Sequence, residues 1–107
     1  MGAEFTLGAE EELHLIDLDR WELSARAPQI LSRLPTAFYS AEIQRTTVET
    51  NTAVVRSLTE LRAELLRLRK GVIEAAGKEN VGIAAVGTAP RSTYADFELT
   101  KIGRAHV

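Results

Sequence analysis

Along the first seventeen residues, apolar side chains fall at Phe5, Leu7, Ala9, Leu13 and Leu15, and this period of two predicts a strand over 5–17. The same period places Glu10, Glu12 and His14 together on the opposite face and turns Glu11 back among the apolar residues. Neighbouring carboxylates on one strand face repel each other and have poor strand propensity, so this face is either solvated or neutralised by a cation. Asp17-Leu18-Asp19-Arg20 predicts a turn, because aspartate side chains bond to nearby backbone there. Trp21-Glu22-Leu23 then reads as a short return strand, with Trp21 packed over the hairpin.

Pro28 suits the first turn of a short helix whose apolar stripe is Ile30, Leu31 and Leu34, with Pro35 as its end. Residues 37–39 read as a connector. The stretch from Glu42 to Thr52 is rich in β-branched residues and reads as extended. Its acids Glu42 and Glu49 are seven apart, so strict alternation sends them to opposite faces; a shared role needs a bulge or break between them.

The longest periodic segment runs from Leu58 to Ala76. Ser57 and Glu60 form a capping-box pattern, and Leu58, Leu61, Leu65, Leu68, Val72, Ile73 and Ala76 follow the helical period. Arg62, Arg67, Arg69 and Lys70 alternate with Glu60, Glu64 and Glu74, which reads as a solvated face, and Gly77 is a natural stop. Val81 to Pro90 is a short apolar run bounded by glycine and proline, predicting a buried strand that ends in a tight turn. At that end Gly87 and Thr88 either offer a backbone N–H and a hydroxyl to a ligand or simply make the turn. Arg91 follows, placed to meet an anion at the strand end or merely exposed in a loop.

Composition narrows the class. With 107 residues the chain is one domain at most, and 45% hydrophobic with 26% charged residues is ordinary for a soluble protein. A formal net charge of −2 gives no electrostatic case for nucleic acid or an anionic membrane. The absence of cysteine excludes disulfides, thiolate metal sites and cysteine nucleophiles. There is no apolar run of membrane-spanning length and no signal-peptide layout at the N-terminus, so the expected location is cytoplasmic.

Three separated signatures stand in order: Leu7-Gly8-Ala9-Glu10-Glu11-Glu12-Leu13, Thr47-Val48-Glu49-Thr50-Asn51-Thr52, and Ala85-Val86-Gly87-Thr88-Ala89-Pro90. With the arginine-rich helix between the last two, the chain resembles the N-terminal part of the carboxylate–amine ligase family, also called glutamate–cysteine ligase type 2. The resemblance implies an α+β fold, a partial antiparallel or mixed sheet with one long amphipathic helix, as a fragment of a glutamine-synthetase-like catalytic fold. It implies ATP and Mg²⁺ as cofactors, and as substrates glutamate and an amine such as that of cysteine. ATP would phosphorylate the glutamate γ-carboxylate and the amine would attack the acyl phosphate. Carried residue by residue, it implies Glu10, Glu12 and Glu49 as metal ligands, Glu42 as a weaker one, and Thr88 and Arg91 as substrate or phosphate contacts. Hard oxygen ligands suit Mg²⁺, which gathers the charge of a phosphoryl transfer. Many members carry a histidine where this chain has Ala89. Family enzymes are several-fold longer, and the parent enzyme is a candidate homo-oligomer.

The expected organisation is a ligase fragment over residues 1–100 and a non-native tail over 101–107. Lys101-Ile102-Gly103-Arg104-Ala105-His106-Val107 leaves the family pattern, and one codon choice, AAG ATC GGA AGA GCA CAC GTC, reads as sequencing-library adapter from its second base. His106 accordingly has no expected metal role. The rival reading is a non-catalytic small α+β binding module, inactive as an isolated fragment.

Overall fold

A computed structural model of the chain describes residues 5–86. Its elements are β1 (Glu10–Asp17), β2 (Glu22–Leu23), α1 (Ala27–Leu31), β3 (Tyr39–Ala41), β4 (Thr47–Asn51), α2 (Leu58–Gly77) and β5 (Val81–Ala84). The fold is α+β. All strand pairings are antiparallel, and β1 is the centre of the sheet. Along one edge, β1 pairs first with β4 and then with β2; along the other it pairs with β5 over His14–Asp17. The handover from β4 to β2 occurs at Leu15, whose N–H donates to Thr46 O at 2.8 Å and whose carbonyl accepts from Ser24 N at 2.8 Å.

The alternation in β1 divides the sheet into an apolar face and a polar face. Leu13, Leu15, Val48, Tyr39 and Val81 are buried against Leu68, Val72, Ala75 and Ala76 of α2 and Ile30 of α1. Glu11 lies on this covered side, as alternation requires, and Arg69 of α2 meets it. Glu10, Glu12 and His14 take the other face. Helix α2 starts as its sequence prescribes: the Ser57 side chain accepts from Glu60 N at 3.1 Å, and the Glu60 carboxylate reaches back to Arg56 N at 2.8 Å.

Several elements depart from the sequence pattern. The first strand begins at Glu10, because the ladder slips by one residue: Leu7 bridges Val55 although the β1–β4 register aims it at Val54. Phe5 is 81% exposed. Trp21 does not cover the hairpin. It is 63% exposed and sits at φ 57°, closing the loop by donating to Asp17 O at 2.8 Å. The Asp17 turn itself forms, with its carboxylate accepting from Asp19 N and Arg20 N at 2.8 and 3.0 Å, which holds Asp17 below the usual carboxylate range. Helix α1 ends at Leu31, before Pro35, where Ser32 Oγ turns back to Gln29 O.

The connector ends one residue early, since Tyr39 opens β3. The extended stretch from Glu42 is broken: β3 and β4 form an antiparallel hairpin whose loop is 42–46. On α2 the buried stripe is Leu68, Val72, Ala75 and Ala76, while Leu58 and Ile73 are 76% and 53% exposed. Gly77 is the last helical residue, and the left-handed residue that turns the chain into β5 is Asn80, at φ 55°. No helix among the described residues is long and apolar enough to cross a membrane.

Candidate cation site

The polar face is built by cross-strand pairing. In the β1–β4 ladder Glu10 stands opposite Asn51, Glu12 opposite Glu49, and His14 opposite Thr47. On β3, Ser40 pairs with Glu49. Its hydroxyl donates to Glu49 Oε2 at 3.2 Å, and Asn51 Nδ2 donates to Ser40 Oγ at 3.4 Å. Glu49 is therefore held from the β3 side and faces Glu12 across the ladder. Like charges at directly paired positions repel each other across the ladder.

Glu42 joins them through the hairpin. Seven residues of continuous strand would separate it from Glu49, but the loop 42–46 folds it back beside both Glu12 and Glu49. Its carboxyl is pushed above the ordinary 4.5, first by burial, then by the charges of Glu12 and Glu49, and by a hydrogen bond to Glu49 that favours the protonated form. Glu12, Glu42, Ile43, Gln44 and Thr47 line a cavity of about 220 Å³. Thr47 Oγ1, in that lining, is buried without a hydrogen-bond partner among the described residues, and so is His14 Nδ1 at the paired position of β1.

The structure thus brings together three of the four acids singled out in the sequence. Glu10 is one pleat further along the same face, exposed, with Asn51 rather than an acid as its cross-strand partner. Thr88 and Arg91 lie outside the described residues, as do Gly87 and the tail 101–107. Among the described residues no three acidic or histidine side chains are already closed around one point in metal-holding geometry. The donors of Glu12, Glu49 and Glu42 are nonetheless all oxygen, the kind a hard divalent cation takes, two of them on the paired strands β1 and β4 and the third in the loop 42–46. Ser40 and Gln44 carry no signal in the sequence; only the hairpin brings them to the acids.

The matched segment of the Glutamate-cysteine ligase family 2 (GCS2) sequence model covers residues 6–106. The chain belongs to this family. A protein of Mycolicibacterium smegmatis, provisionally named glutamate–cysteine ligase 2-2, is 41% identical over 99 residues, covering 92% of this chain and 25% of that protein. One of Rhodococcus jostii, provisionally named glutamate–cysteine ligase 2-3, is 42% identical over 94 residues, 88% of this chain and 12% of its own length. A third, of Chloroflexus aurantiacus, is 36% identical over 106 residues, 96% of this chain and 27% of its own. The chain therefore spans about a quarter or less of these relatives. The glutamate–cysteine ligase family 2 segment described here contains the strand pair β1–β4, the hairpin acid Glu42 and the covering helix α2.

Proposed function

We propose that this segment supplies one wall of the cation and phosphate site of an ATP-dependent carboxylate–amine ligase. The observation that carries the reading is the direct pairing of Glu12 with Glu49, with Glu42 folded against both. Glu12, Glu49 and Glu42 would hold Mg²⁺, with Glu10 reaching in from the next pleat. The ion would gather and neutralise phosphate charge and align the reacting oxygens.

In that enzyme the γ-carboxylate of glutamate takes the terminal phosphoryl group of ATP, leaving ADP. The amine of cysteine or another amino acid then attacks the acyl carbon and releases phosphate. A free carboxylate is a poor electrophile, so activation must precede attack. None of the acids acts as a nucleophile here; they position and stabilise charge. Thr88 and Arg91 are proposed to contact substrate or phosphate, and a cytoplasmic location goes with the pools of ATP and glutamate. The 107-residue chain alone is expected to lack ligase activity, because it spans about a quarter or less of its relatives.

The test is a chimaera in which residues 1–100 replace the matching N-terminal segment of the Mycolicibacterium smegmatis relative. It should form γ-glutamyl-cysteine and ADP from glutamate, cysteine and ATP, and Glu12→Gln should abolish this. A folded chimaera that turns over equally well with and without Glu12→Gln contradicts the reading.

A further inference from the structure

Glu11 is the carboxylate of β1 that meets the helix. Its neighbours Glu10 and Glu12 leave the strand on the opposite side, so Glu11 takes no direct part in the acidic face. Its two oxygens are gripped by Arg69: Nε donates to Oε1 at 2.8 Å, and Nη2 donates to Oε2. Arg69 follows fully buried Leu68 and precedes fully buried Val72, so its helix segment is anchored in the core. The backbone of Glu11 is also held, with Thr50 Oγ1 donating to its carbonyl at 3.4 Å.

We propose that Arg69 is a positioning residue for the cation site. A bidentate guanidinium–carboxylate fork fixes direction as well as distance. Successive residues alternate across a strand, so the fork ties β1 to α2 at the residue between Glu10 and Glu12, which project from the other face. The fork thereby couples the rigid core of α2 to the register in which Glu12 meets Glu49. Outer groups that orient metal ligands in this way are commonly worth about tenfold or more in metal affinity. The assignment rests on the cation-site reading above.

The test uses Mn²⁺ titrated calorimetrically into the 107-residue chain, with circular dichroism and thermal unfolding in parallel. Glu11→Gln/Arg69→Met keeps the pair's summed charge at zero, so a changed affinity reports position rather than field. Arg69→Lys keeps the charge and removes the fork. The double variant should bind Mn²⁺ about tenfold more weakly while keeping its helix signal, and Arg69→Lys should fall between it and the wild type. A folded double variant that is less heat-stable yet binds Mn²⁺ as tightly as the wild type overturns the proposal, because the fork would then be merely structural. If the double variant does not fold, Arg69→Lys decides alone, wild-type affinity overturning the proposal and a weakened one supporting it. A wild-type chain that binds no Mn²⁺ removes the cation site itself, and the positioning role with it. That outcome is distinct from tight binding by both proteins.

Discussion

Glu12 and Glu49 face each other at paired positions of β1 and β4, and the hairpin between β3 and β4 brings Glu42 against them. Three like charges are collected on a sheet whose other side is the hydrophobic core. Such an arrangement costs folding free energy unless a counter-charge joins it.

In a metal-free buffer, Glu49→Gln should stabilise the chain. Glutamine keeps the acceptor that Ser40 uses and removes the repulsion with Glu12. The gain should be about 0.5 kcal/mol, within the usual range for a cross-strand pair. Urea unfolding with EDTA present measures it, and a loss of stability would contradict like-charge strain at this pair.

Glu42 gives this strain a pH dependence. Its carboxyl is raised in the folded state, so between the ordinary value of 4.5 and the raised one the folded chain binds more protons than the unfolded chain. Its contribution to stability is thus full below 4.5 and is lost as pH rises through the raised value. Asp17 works oppositely: lowered by the backbone N–H groups of Arg20 and Asp19, it contributes above its ordinary 3.8 and loses that as pH falls. Urea midpoints across the acid range should therefore show a decline above 4.5 that Glu42→Gln flattens and that added Mg²⁺ offsets.

Gly71 lies inside α2, where alanine is normally preferred by about 1 kcal/mol. Here a Cβ would strike the hydroxyl of Tyr39, which donates to Leu68 O at 2.9 Å in the core. Gly71→Ala should accordingly destabilise by roughly 1–3 kcal/mol, the usual cost of overpacking. In a Tyr39→Phe background the penalty should shrink, and thermal unfolding of the four proteins of this cycle checks it. A Gly71→Ala variant as stable as the wild type would show that the tyrosine moves aside freely.

The sequence was legible where one force dominated. Period-two alternation in β1 put Glu10 and Glu12 on one face and Glu11 on the other, because one side of that strand is buried. The start of α2 was legible because Ser57 and Glu60 are a local device. The β3–β4 hairpin was not: its loop, Glu42-Ile43-Gln44-Arg45-Thr46, contains no glycine, proline or asparagine to mark a turn. Only tertiary pairing distinguishes it from a continued strand, and with it went the relation between Glu42 and Glu49.

Helix α2 shows the same limit. Period alone cannot say how much of an apolar stripe finds a partner: Leu58 and Ile73 share the period with Leu68 and Val72 yet stay largely exposed. Arg69 looked like one more solvated cation in a mixed run. The inward Glu11 was the available signal, since a carboxylate on a covered face requires a cationic partner. Hydropathy cannot place Trp21, whose position is governed by backbone: at φ 57° it closes the loop from Asp17 and the residue is left largely exposed.

Everything proposed for the acids of β1, β4 and the hairpin loop depends on their forming a divalent-cation site. Calorimetric titration of Mg²⁺ and Mn²⁺ into the 107-residue chain and into its Glu12→Gln/Glu49→Gln variant, with circular dichroism of both, decides the matter. Binding by the wild-type chain should disappear in an equally folded variant. A folded wild-type chain that takes up neither ion, or a variant that binds as tightly as the wild type, would contradict the cation site.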